Sequence, residues 1–382
     1  MKVLQRYFAE EILRSVFFVL LAFLSLFSFL DLTGEMKTVG RGGYQLHHAF
    51  TYVLLHVPAR IYELMPQAAL IGTIWALAQL ASRSEFTIMR VSGLSTVRAA
   101  WMLAKIGLIF VFVTFLFGEV VSPVANNAAK RLKLAAQGAS LSNEFRSGLW
   151  AKDQIKANGL TGETIGTRFL NVQEVRPDGE LVGVRMFEFD NDYRLQSMIM
   201  ATRGKLGTDH TWKLSDVAVT RFPENALIPG STSPDLSAAV TSTRYEASEL
   251  VTGITSNILT VLFADPEDMS ASNLRAYSQH LTENKQNAER YQIAFWKKLI
   301  YPFASLVMMA LALPFAYMHA RAGGVSLKIF IGIMIGVSFD LLNGLFSHIG
   351  LLNTWPPFAT AILPSLLFLL LAIGALWRIE RH

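Results

Sequence analysis

The sequence predicts a polytopic α-helical membrane protein with an all-β domain inserted between its third and fourth membrane helices. Apolar segments of membrane-spanning length come in two groups of three, one before residue 122 and one after residue 298. Many segments between the groups alternate apolar and charged side chains, which is typical of β-strands. Hydrophobic residues make up 52% of the chain. We therefore predict membrane helices in residues 1–121 and 299–382 and a separate domain in residues 122–298.

The apolar segments have the length that a membrane crossing requires, which is about 20 mostly apolar residues. Segments 64–82, 299–318 and 349–377 contain no charged residue, and neither does the shorter segment 15–30. Segment 99–118 contains only Lys105, and segment 329–346 contains only Asp340. Six buried helices of a soluble protein are the alternative, but the combined length and the hydrophobic content argue against it.

Lysine and arginine in the short loops predict the orientation, because cytoplasmic loops of membrane proteins are enriched in both residues. One side of the predicted bundle collects most of them: Lys2, Arg6, Arg83, Arg90, Arg98, Arg321, Lys328, Arg378 and Arg381. The opposite short loops carry fewer, namely Lys37, Arg41 and Arg60, and these are partly offset by carboxylates in the same loops: Asp31, Glu35 and Glu63. Both termini are therefore predicted in the cytoplasm and residues 122–298 on the outer side. No basic run is long enough to indicate nucleic-acid binding.

The inserted domain has the pattern of several short strands. We predict strands at residues 169–175, 181–190, 195–206 and 211–222. The sequence Pro-Asp-Gly at residues 177–179 is typical of a hairpin turn. A sandwich, a jelly roll and an open barrel all fit this spacing. Residues 224–243 are predicted as a loop, and residues 270–280 as a short helix.

The sequence contains no motif of an enzyme active site. It has no phosphate-binding G-x-x-x-x-G-K-[ST] loop, no G-x-S-x-G elbow and no H-E-x-x-H zinc helix. The absence of cysteine excludes disulfides and thiolate metal sites, and His47-His48 is predicted in a solvated loop. Lys297-Lys298 is predicted as an interfacial anchor. We expect a non-catalytic chain that binds no cofactor, so a partner must supply the energy for any uphill transport.

The cytoplasmic loop at residues 82–93 is amphipathic and has the end signals of a helix. Ser82 or Ser84 is expected to cap its N-terminus, and Gly93 to close its C-terminus. We predict that Phe86 and Met89, together with Val91, form an exposed apolar knob beside the charged side chains. The predicted contact residues are Glu85, Phe86, Met89 and Arg90. Both an interfacial helix that lies on the membrane and a helix that docks onto a partner protein fit this pattern.

Five stretches of the chain resemble the lipopolysaccharide-export permeases of the LptF/LptG family. The sequence SRSEFTIMRVSG at residues 82–93 is similar to the coupling helix of that family, and GEVVSP at 118–123 to the exit from its third span. The other three are GLWAKD at 148–153, RLQS at 194–197 and ERYQIAFWKKLIYP at 289–302. They resemble the LptG branch more than the LptF branch. The likeness runs nearly end to end, with the stretches in the same order.

The resemblance implies a permease subunit of an ABC exporter that lifts lipopolysaccharide from the inner membrane of Gram-negative bacteria. It implies an LptF-like paralogue, a dimer of LptB-like ATPases that bind ATP and magnesium, and an LptC-like single-span protein as partners. The periplasmic domain would be a β-jelly roll that takes part in a bridge towards the outer membrane. Residues 82–93 would be the coupling helix, with Glu85 in a groove of the ATPase.

Basic residues near the outer surface are the candidate contacts for the phosphates of lipid A. Lys37 and Arg41 follow the first span, and Lys130 and Lys133 follow the third. The resemblance places Lys37 and Lys133 where family members contact lipopolysaccharide. It also implies a basic residue near the outer end of the first span, where this chain has the acidic residue Asp31.

Three features leave alternatives open. Asp340 can line a cavity, pair with a polar group or be hydrated near the outer surface. Gly332 and Gly336 can allow close helix packing or help a lateral gate to flex. As alternatives to lipopolysaccharide export, the chain can be an ABC-type permease or mechanotransmitter for another envelope lipid. It can also be a membrane receptor with a ligand-binding β-domain.

Overall fold

The computed structural model describes residues 2–137, 148–176, 180–206, 210–222, 240–254, 265–317 and 325–380. In this part of the chain, six helices are long and apolar enough to cross a membrane. Three of them precede a six-stranded antiparallel sheet, and three follow it. The predicted fold class, six membrane helices with a β-domain between the third and the fourth, is confirmed.

The first half of the chain forms five helices. They are α1 (Lys2–Met36), α2 (Leu46–Ser82), α3 (Glu85–Val91), α4 (Thr96–Leu116) and α5 (Ser122–Gln137). A π-helical turn, Phe117–Val121, joins α4 to α5, so that Thr96–Gln137 is one helical segment of 42 residues. At a rise of 1.5 Å per residue it is about 63 Å long. It is therefore about twice as long as the ~30 Å hydrocarbon core of a bilayer, and it extends well beyond the predicted end at Gly118.

The second half forms α6 (Ala271–Glu283), α7 (Glu289–Ala312), α8 (Pro314–Tyr317), α9 (Val325–Leu352) and α10 (Pro357–Glu380). Together, α7 and α8 make up the fourth membrane segment, Glu289–Tyr317. Residues 349–352 belong to the fifth membrane helix and not, as predicted, to the sixth. The reason is that Pro357 begins α10, at the first helical position, where proline is well tolerated.

The histidine pair lies in a helix, so the loop predicted for His47-His48 is wrong. Because α2 begins at Leu46, far before the predicted start at residue 64, both rings lie in its first turn. Their centroids are 3.8 Å apart. The Nδ1 atom of His48 accepts a hydrogen bond from the backbone N–H of Gln45 at 3.1 Å, which helps to cap α2.

The central helix of the membrane bundle is α2, with α1 and α9 packed against it. A Cβ atom at Gly72 would lie 2.5 Å from the Cα atom of Val16 in α1, so the two backbones are in direct contact. On the other side of α2, Gly332 and Gly336 are both buried, and a Cβ at Gly332 would lie 2.7 Å from Ile74. The packing interpretation of these two glycines is confirmed, since small residues let membrane helices approach closely.

The β-domain is a meander in which each strand pairs with the next. Its strands are β1 (Leu149–Asn158), β2 (Thr161–Val175), β3 (Glu180–Asp190), β4 (Leu195–Leu206), β5 (Thr211–Arg221) and β6 (Thr241–Val251). Strands β1 and β6 were not predicted, and the start of β6 corrects the end of the loop predicted at residues 224–243. The predicted turn at residues 177–179 lies outside the described residues, and so do residues 224–239 of the predicted loop. Jelly-roll closure of the sheet stays a prediction.

A buried polar network connects strands β1 to β4. The guanidinium of Arg168 donates from Nε and Nη2 to Oε1 of Glu188 at 2.9 and 2.7 Å, and Oε2 of Glu188 accepts from Ser197. The carboxylate of Asp153 lies 4.0 Å from Arg168 and accepts from Thr252 at 2.6 Å. The stretches GLWAKD and RLQS contribute Asp153 and Ser197. Both stretches therefore supply polar partners that a buried charge requires.

His280, in α6, makes the stability of the junction between the sheet and α6 sensitive to pH. Burial lowers the pKa of this imidazole below its usual 6.5, and the nearby carboxylates of Asp153 and Glu283 only partly oppose this effect. Between pH 6.5 and the lower native pKa the unfolded chain binds more protons than the folded chain, so stability decreases as the pH falls across this range. We expect the unfolding temperature of the parent to fall across the same range and that of His280→Gln to fall less. Circular dichroism melts at several pH values, with His47→Gln as control, measure this; identical profiles for His280→Gln and the parent would contradict it.

Candidate functional site

The short helix α3 has a tight closure at its C-terminus but no serine cap at its N-terminus, so the predicted cap is wrong. Ser84 precedes the helix in a left-handed conformation with φ 59°, and its side chain makes no capping hydrogen bond. The hydroxyl of Ser82 donates instead to the carbonyl of Gln79. At the other end, Gly93 has φ +97°. The N–H of Gly93 donates to the carbonyl of Arg90, and the N–H of Leu94 to that of Met89, which is a Schellman motif. The helix is therefore held in one orientation between α2 and α4.

The apolar side chains of α3 point in two directions. Phe86 and Met89 are only 2% and 6% exposed, because they pack into the core of the membrane bundle. Ile88 and Val91 are 63% and 86% exposed. The exposed knob is therefore wrong for Phe86 and Met89, which anchor α3. It is confirmed for Val91, which forms the free apolar surface of α3 together with Ile88. Whether Phe86 and Met89 take part in ATPase coupling stays a prediction.

The two charged residues of α3 contact other membrane helices. The carboxylate of Glu85 accepts a hydrogen bond of 2.8 Å from the hydroxyl of Tyr7 in α1; Tyr7 is exposed and Glu85 is half-buried. The guanidinium of Arg90 lies 4.9 Å from the ring centroid of Tyr317 in α8. That ring also meets Phe86 edge-on at 5.2 Å. A force on α3 therefore acts on the ends of the first and fourth membrane segments as well as on α2 and α4.

A cavity of about 500 Å³ lies nearer the other end of the bundle, where the membrane helices meet the 3₁₀ turn Pro266–Asp268. Its walls come mainly from α2, α7 and α9. Apolar and polar groups are mixed in the lining, and it holds side chains of both charges: Arg60, Glu63, Glu267, Asp268, Arg290, Lys297, Lys298 and Asp340. A mixed cavity at this level suits a ligand with a charged head and an apolar body.

Lys298 is a buried cation of this cavity. It is 6% exposed, its ammonium donates to the carbonyl oxygen of Glu267 at 3.2 Å, and it lies 4.7 Å from the ring centroid of Tyr62. The predicted role of an interfacial anchor is therefore wrong for Lys298, because its side chain points into the protein.

Asp340 lies on the cavity and is also paired. Both of its carboxylate oxygens are 2.6 Å from the side-chain amide nitrogen of Gln67 in α2. Two of the alternatives for this acid, a cavity lining and a polar partner, are thus realised together.

An ion cluster joins α1 to α2 beside the cavity. The guanidinium of Arg60 forms a two-pronged contact with Asp31 of α1, with bonds of 2.9 and 2.7 Å, and a third bond of 2.7 Å to Glu63. Asp31 occupies the position where the resemblance to the permease family implies a basic residue. Its charge is balanced by Arg60, which lies within α2 and not in a loop.

Comparison with known proteins identifies the family. The model of the family described as "Lipopolysaccharide export system permease LptF/LptG" matches residues 6–378. The chain belongs to the LptF/LptG family. A curated relative from Escherichia coli K12, named lipopolysaccharide export system permease protein LptG, is 31% identical over 377 residues, or 98% of each chain. A relative of the same name from Haemophilus influenzae is 28% identical over 371 residues, or 96% of each chain.

The four basic residues predicted to bind substrate in this LptF/LptG-family chain have different surroundings. Lys37 and Arg41 are exposed in the turn between α1 and α2. Lys130 donates to Asp268 at 2.9 Å, and Lys133 to Glu35 at 2.8 Å. The structure therefore separates two accessible cations from two that internal carboxylates already neutralise.

Several cavity residues of this family member were missed by the sequence analysis. Arg60 and Glu63 were assigned to a loop because the apolar part of α2 begins only at residue 64. Lys298 was predicted at the surface because it adjoins another lysine. The sequence did contain one signal for the cavity, which is the polar residue Gln67 within an apolar membrane segment. Polar residues inside membrane helices usually face a cavity or a partner, and Gln67 is buried beside the cavity.

Proposed function

We propose that this chain is the permease subunit of an exporter that extracts lipopolysaccharide from the inner membrane and passes it towards a periplasmic bridge. The observation that carries the proposal is the end-to-end likeness to lipopolysaccharide export permeases, over residues 6–378. The structure has the parts that such a role requires, since it combines a membrane bundle, a β-domain and a short amphipathic helix.

The proposed orientation places both termini and α3 in the cytoplasm and the sheet in the periplasm. The excess of lysine and arginine in the loops on the α3 side supports this orientation. So does the fold, because α3 precedes the 42-residue segment Thr96–Gln137 while the sheet follows it. Residues 1–121 and 299–382 are the proposed membrane domain, and residues 122–298 the proposed periplasmic domain.

We propose that this chain is non-catalytic and that a partner ATPase dimer binds ATP and magnesium. The docking element is α3, with Ile88 and Val91 as apolar contacts and Glu85 as the acidic one. Movement of the ATPases would push α3, and its anchors Phe86 and Met89 would transmit the force to the bundle. An LptF-like paralogue and an LptC-like single-span protein are the other proposed partners.

The lipid requires a shielded path, because exposing one long acyl chain to water costs about 10 kcal/mol. A cavity of about 500 Å³ holds a head group or a single chain, so this chain would form only part of the wall around a multi-chain lipid. The paralogous permease would supply the rest. Lys37 and Arg41 are the proposed first contacts for phosphates, whereas Lys130 and Lys133 would first have to leave Asp268 and Glu35.

The proposal predicts that Glu85→Arg prevents the ATPase from docking. The side chain of Glu85 is only half-buried and lies at the surface, so the fold should persist, while the reversed charge meets the same surface of the ATPase. We expect ATPase co-purification with the permease pair in mild detergent to fall about tenfold or more. Glu163→Arg makes the same charge change at an exposed position of β2 and should retain the ATPase.

Two results would contradict this proposal. An ATPase that co-purifies equally with the parent and with folded Glu85→Arg would remove Glu85 from the interface. Failure of the parent to retain any ATPase would remove the exporter assignment itself and favour the receptor alternative.

A further inference from the structure

The stretch GEVVSP at residues 118–123 connects the third membrane helix to two other parts of the protein. Residues Phe117–Val121 form a π-helical turn, a feature that is rare and frequent at functional sites. Within it, Gly118 is packed against the ring of Tyr62 in α2, since a Cβ atom there would lie 2.5 Å from Cδ2 of the ring. The next residue, Glu119, reaches away from the membrane bundle to α6.

The carboxylate of Glu119 binds the N-terminus of α6. Its Oε2 atom accepts from the N–H of Ala271 at 2.7 Å, and its Oε1 atom accepts from the N–H of Ser272 at 3.3 Å. The N–H groups of a first helical turn have no partner within the helix, and they form the positive end of its dipole. A single side chain of the third membrane helix thus holds the start of the helix that follows the sheet.

Neighbouring side chains fasten the segment just before α6 to the same helix. Asn126 and Lys130, both on α5, donate to the two carboxylate oxygens of Asp268 at 3.0 and 2.9 Å. At its other end α6 contacts the sheet, where the amide of Gln154 in β1 donates to the carbonyl of Glu283 at 2.7 Å. A continuous series of direct hydrogen bonds therefore connects the third membrane segment, through Glu119 and α6, to the sheet.

We propose that Glu119 is a positioning residue that makes this contact a mechanical joint between the ATP-driven membrane helices and the periplasmic sheet. A displacement of α3 acts on α4, which begins at Thr96 directly after the α3 turn, and α4 continues through the π-helical turn that carries Glu119. The bond from Glu119 to α6 then moves the sheet with the third membrane helix. This inference rests on the proposed function, because that function supplies the driving ATPase.

Two substitutions break the joint from opposite sides. Glu119→Gln removes the charge and one acceptor oxygen. Ala271→Pro removes the N–H donor at the first position of α6, where proline is compatible with a helix. The preceding Ser270 already has the extended backbone that proline requires of its neighbour, with φ −71° and ψ 156°. Glu163→Gln, at an exposed position of β2, is the matched control for the change of charge.

The test uses the complex of permease pair, ATPase dimer and single-span protein in vesicles. We expect Glu119→Gln and Ala271→Pro each to lower ATP-driven lipid release about tenfold while ATP hydrolysis stays at the parental rate. The double variant should be no worse than either single one, because both remove the same contact. Spin labels at Ala128→Cys in α5 and Thr243→Cys in β6, in a chain without native cysteine, should report a distance that nucleotide leaves unchanged in the parent and changes in the two single variants.

The outcomes separate this joint from the proposed function. Lipid release within twofold of the parent in both single variants would overturn the joint, as would effects that multiply in the double variant. A parallel loss of hydrolysis and release would place the defect at the ATPase or in the fold and would also overturn it. A parent complex without ATP-driven release would overturn the proposed function itself.

Discussion

Gly72→Leu is expected to prevent stable assembly of the membrane bundle. A side chain at this position would lie 2.5 Å from the Cα and 2.7 Å from the N atom of Val16, and backbone atoms cannot rotate away. The helices α1 and α2 would have to separate, at a cost of about 3 kcal/mol or more in unfolding free energy. We expect a large loss of monodisperse protein in detergent and a lower unfolding temperature, measured by size-exclusion chromatography and thermal melts.

Gly374→Leu is the matched control for this prediction. It makes the same change in α10, at an exposed position where a new Cβ would meet nothing within 4 Å. Its unfolding free energy should stay within about 0.5 kcal/mol of the parent. Equal stability of Gly72→Leu and Gly374→Leu would show that α1 and α2 are not in backbone contact at Gly72.

Arg60→Met is expected to have the second largest effect, because it leaves the carboxylates of Asp31 and Glu63 without their shared cation. Arg60 and Asp31 are only 25% and 21% exposed, so solvent screens their contact less than that of a surface pair. Removing one partner of such a pair should destabilise the protein by about 2 kcal/mol, which thermal unfolding in detergent measures. Arg176→Met is the matched control, since its pair with Glu180 is more exposed and should contribute under about 1 kcal/mol.

A double-mutant cycle distinguishes a specific ion pair from a loss of packing at Arg60. If the Asp31 contact carries the effect, adding Asp31→Asn should restore about 1 kcal/mol of the stability lost in Arg60→Met. Additive losses in the double variant would instead assign the effect to contacts of the arginine stem, such as its position 5.7 Å from the ring centroid of Phe27.

The six membrane helices could be predicted because a bilayer demands long apolar helices, and little else satisfies that pattern. The helix ends could not be predicted in the same way. Segments that contain many polar residues extend α2 back to Leu46 and the third membrane segment onward to Gln137, where the hydropathy signal has already ended. Strand β6 was missed because it is exposed along most of its length, and β1 because charged and polar residues interrupt its apolar pattern.

The candidate site was predictable in position but not in orientation. The amphipathic pattern and end signals of residues 82–93 gave α3 and its tight closure at Gly93. They could not tell which apolar residues face the bundle, because Phe86, Ile88, Met89 and Val91 are all apolar and the choice depends on tertiary packing. The same limit applies to Lys298, since pairing and burial depend on helices that are distant in sequence.

The four predicted phosphate contacts differ in accessibility because they lie in different parts of the fold. Lys37 and Arg41 lie in a turn without helical packing, so they stay accessible. Lys130 and Lys133 lie on α5, which packs against α2, and carboxylates come within reach there. Binding of a phosphate at Lys133 would thus compete with Glu35, whereas binding at Lys37 would not.

Whether this chain exports lipopolysaccharide is tested most directly by lipid release from vesicles. The vesicles contain this chain with its paralogue, the ATPase dimer and the single-span protein. Fluorescent lipopolysaccharide and a fluorescent phospholipid are offered together, and the transfer of each to a soluble acceptor protein is followed with and without ATP. We expect ATP-dependent release of lipopolysaccharide, little release of phospholipid, and no release with Glu85→Arg. Equal ATP-driven release of both lipids, or no stimulation by ATP in a complex that hydrolyses it, would show that this chain is not a lipopolysaccharide exporter subunit.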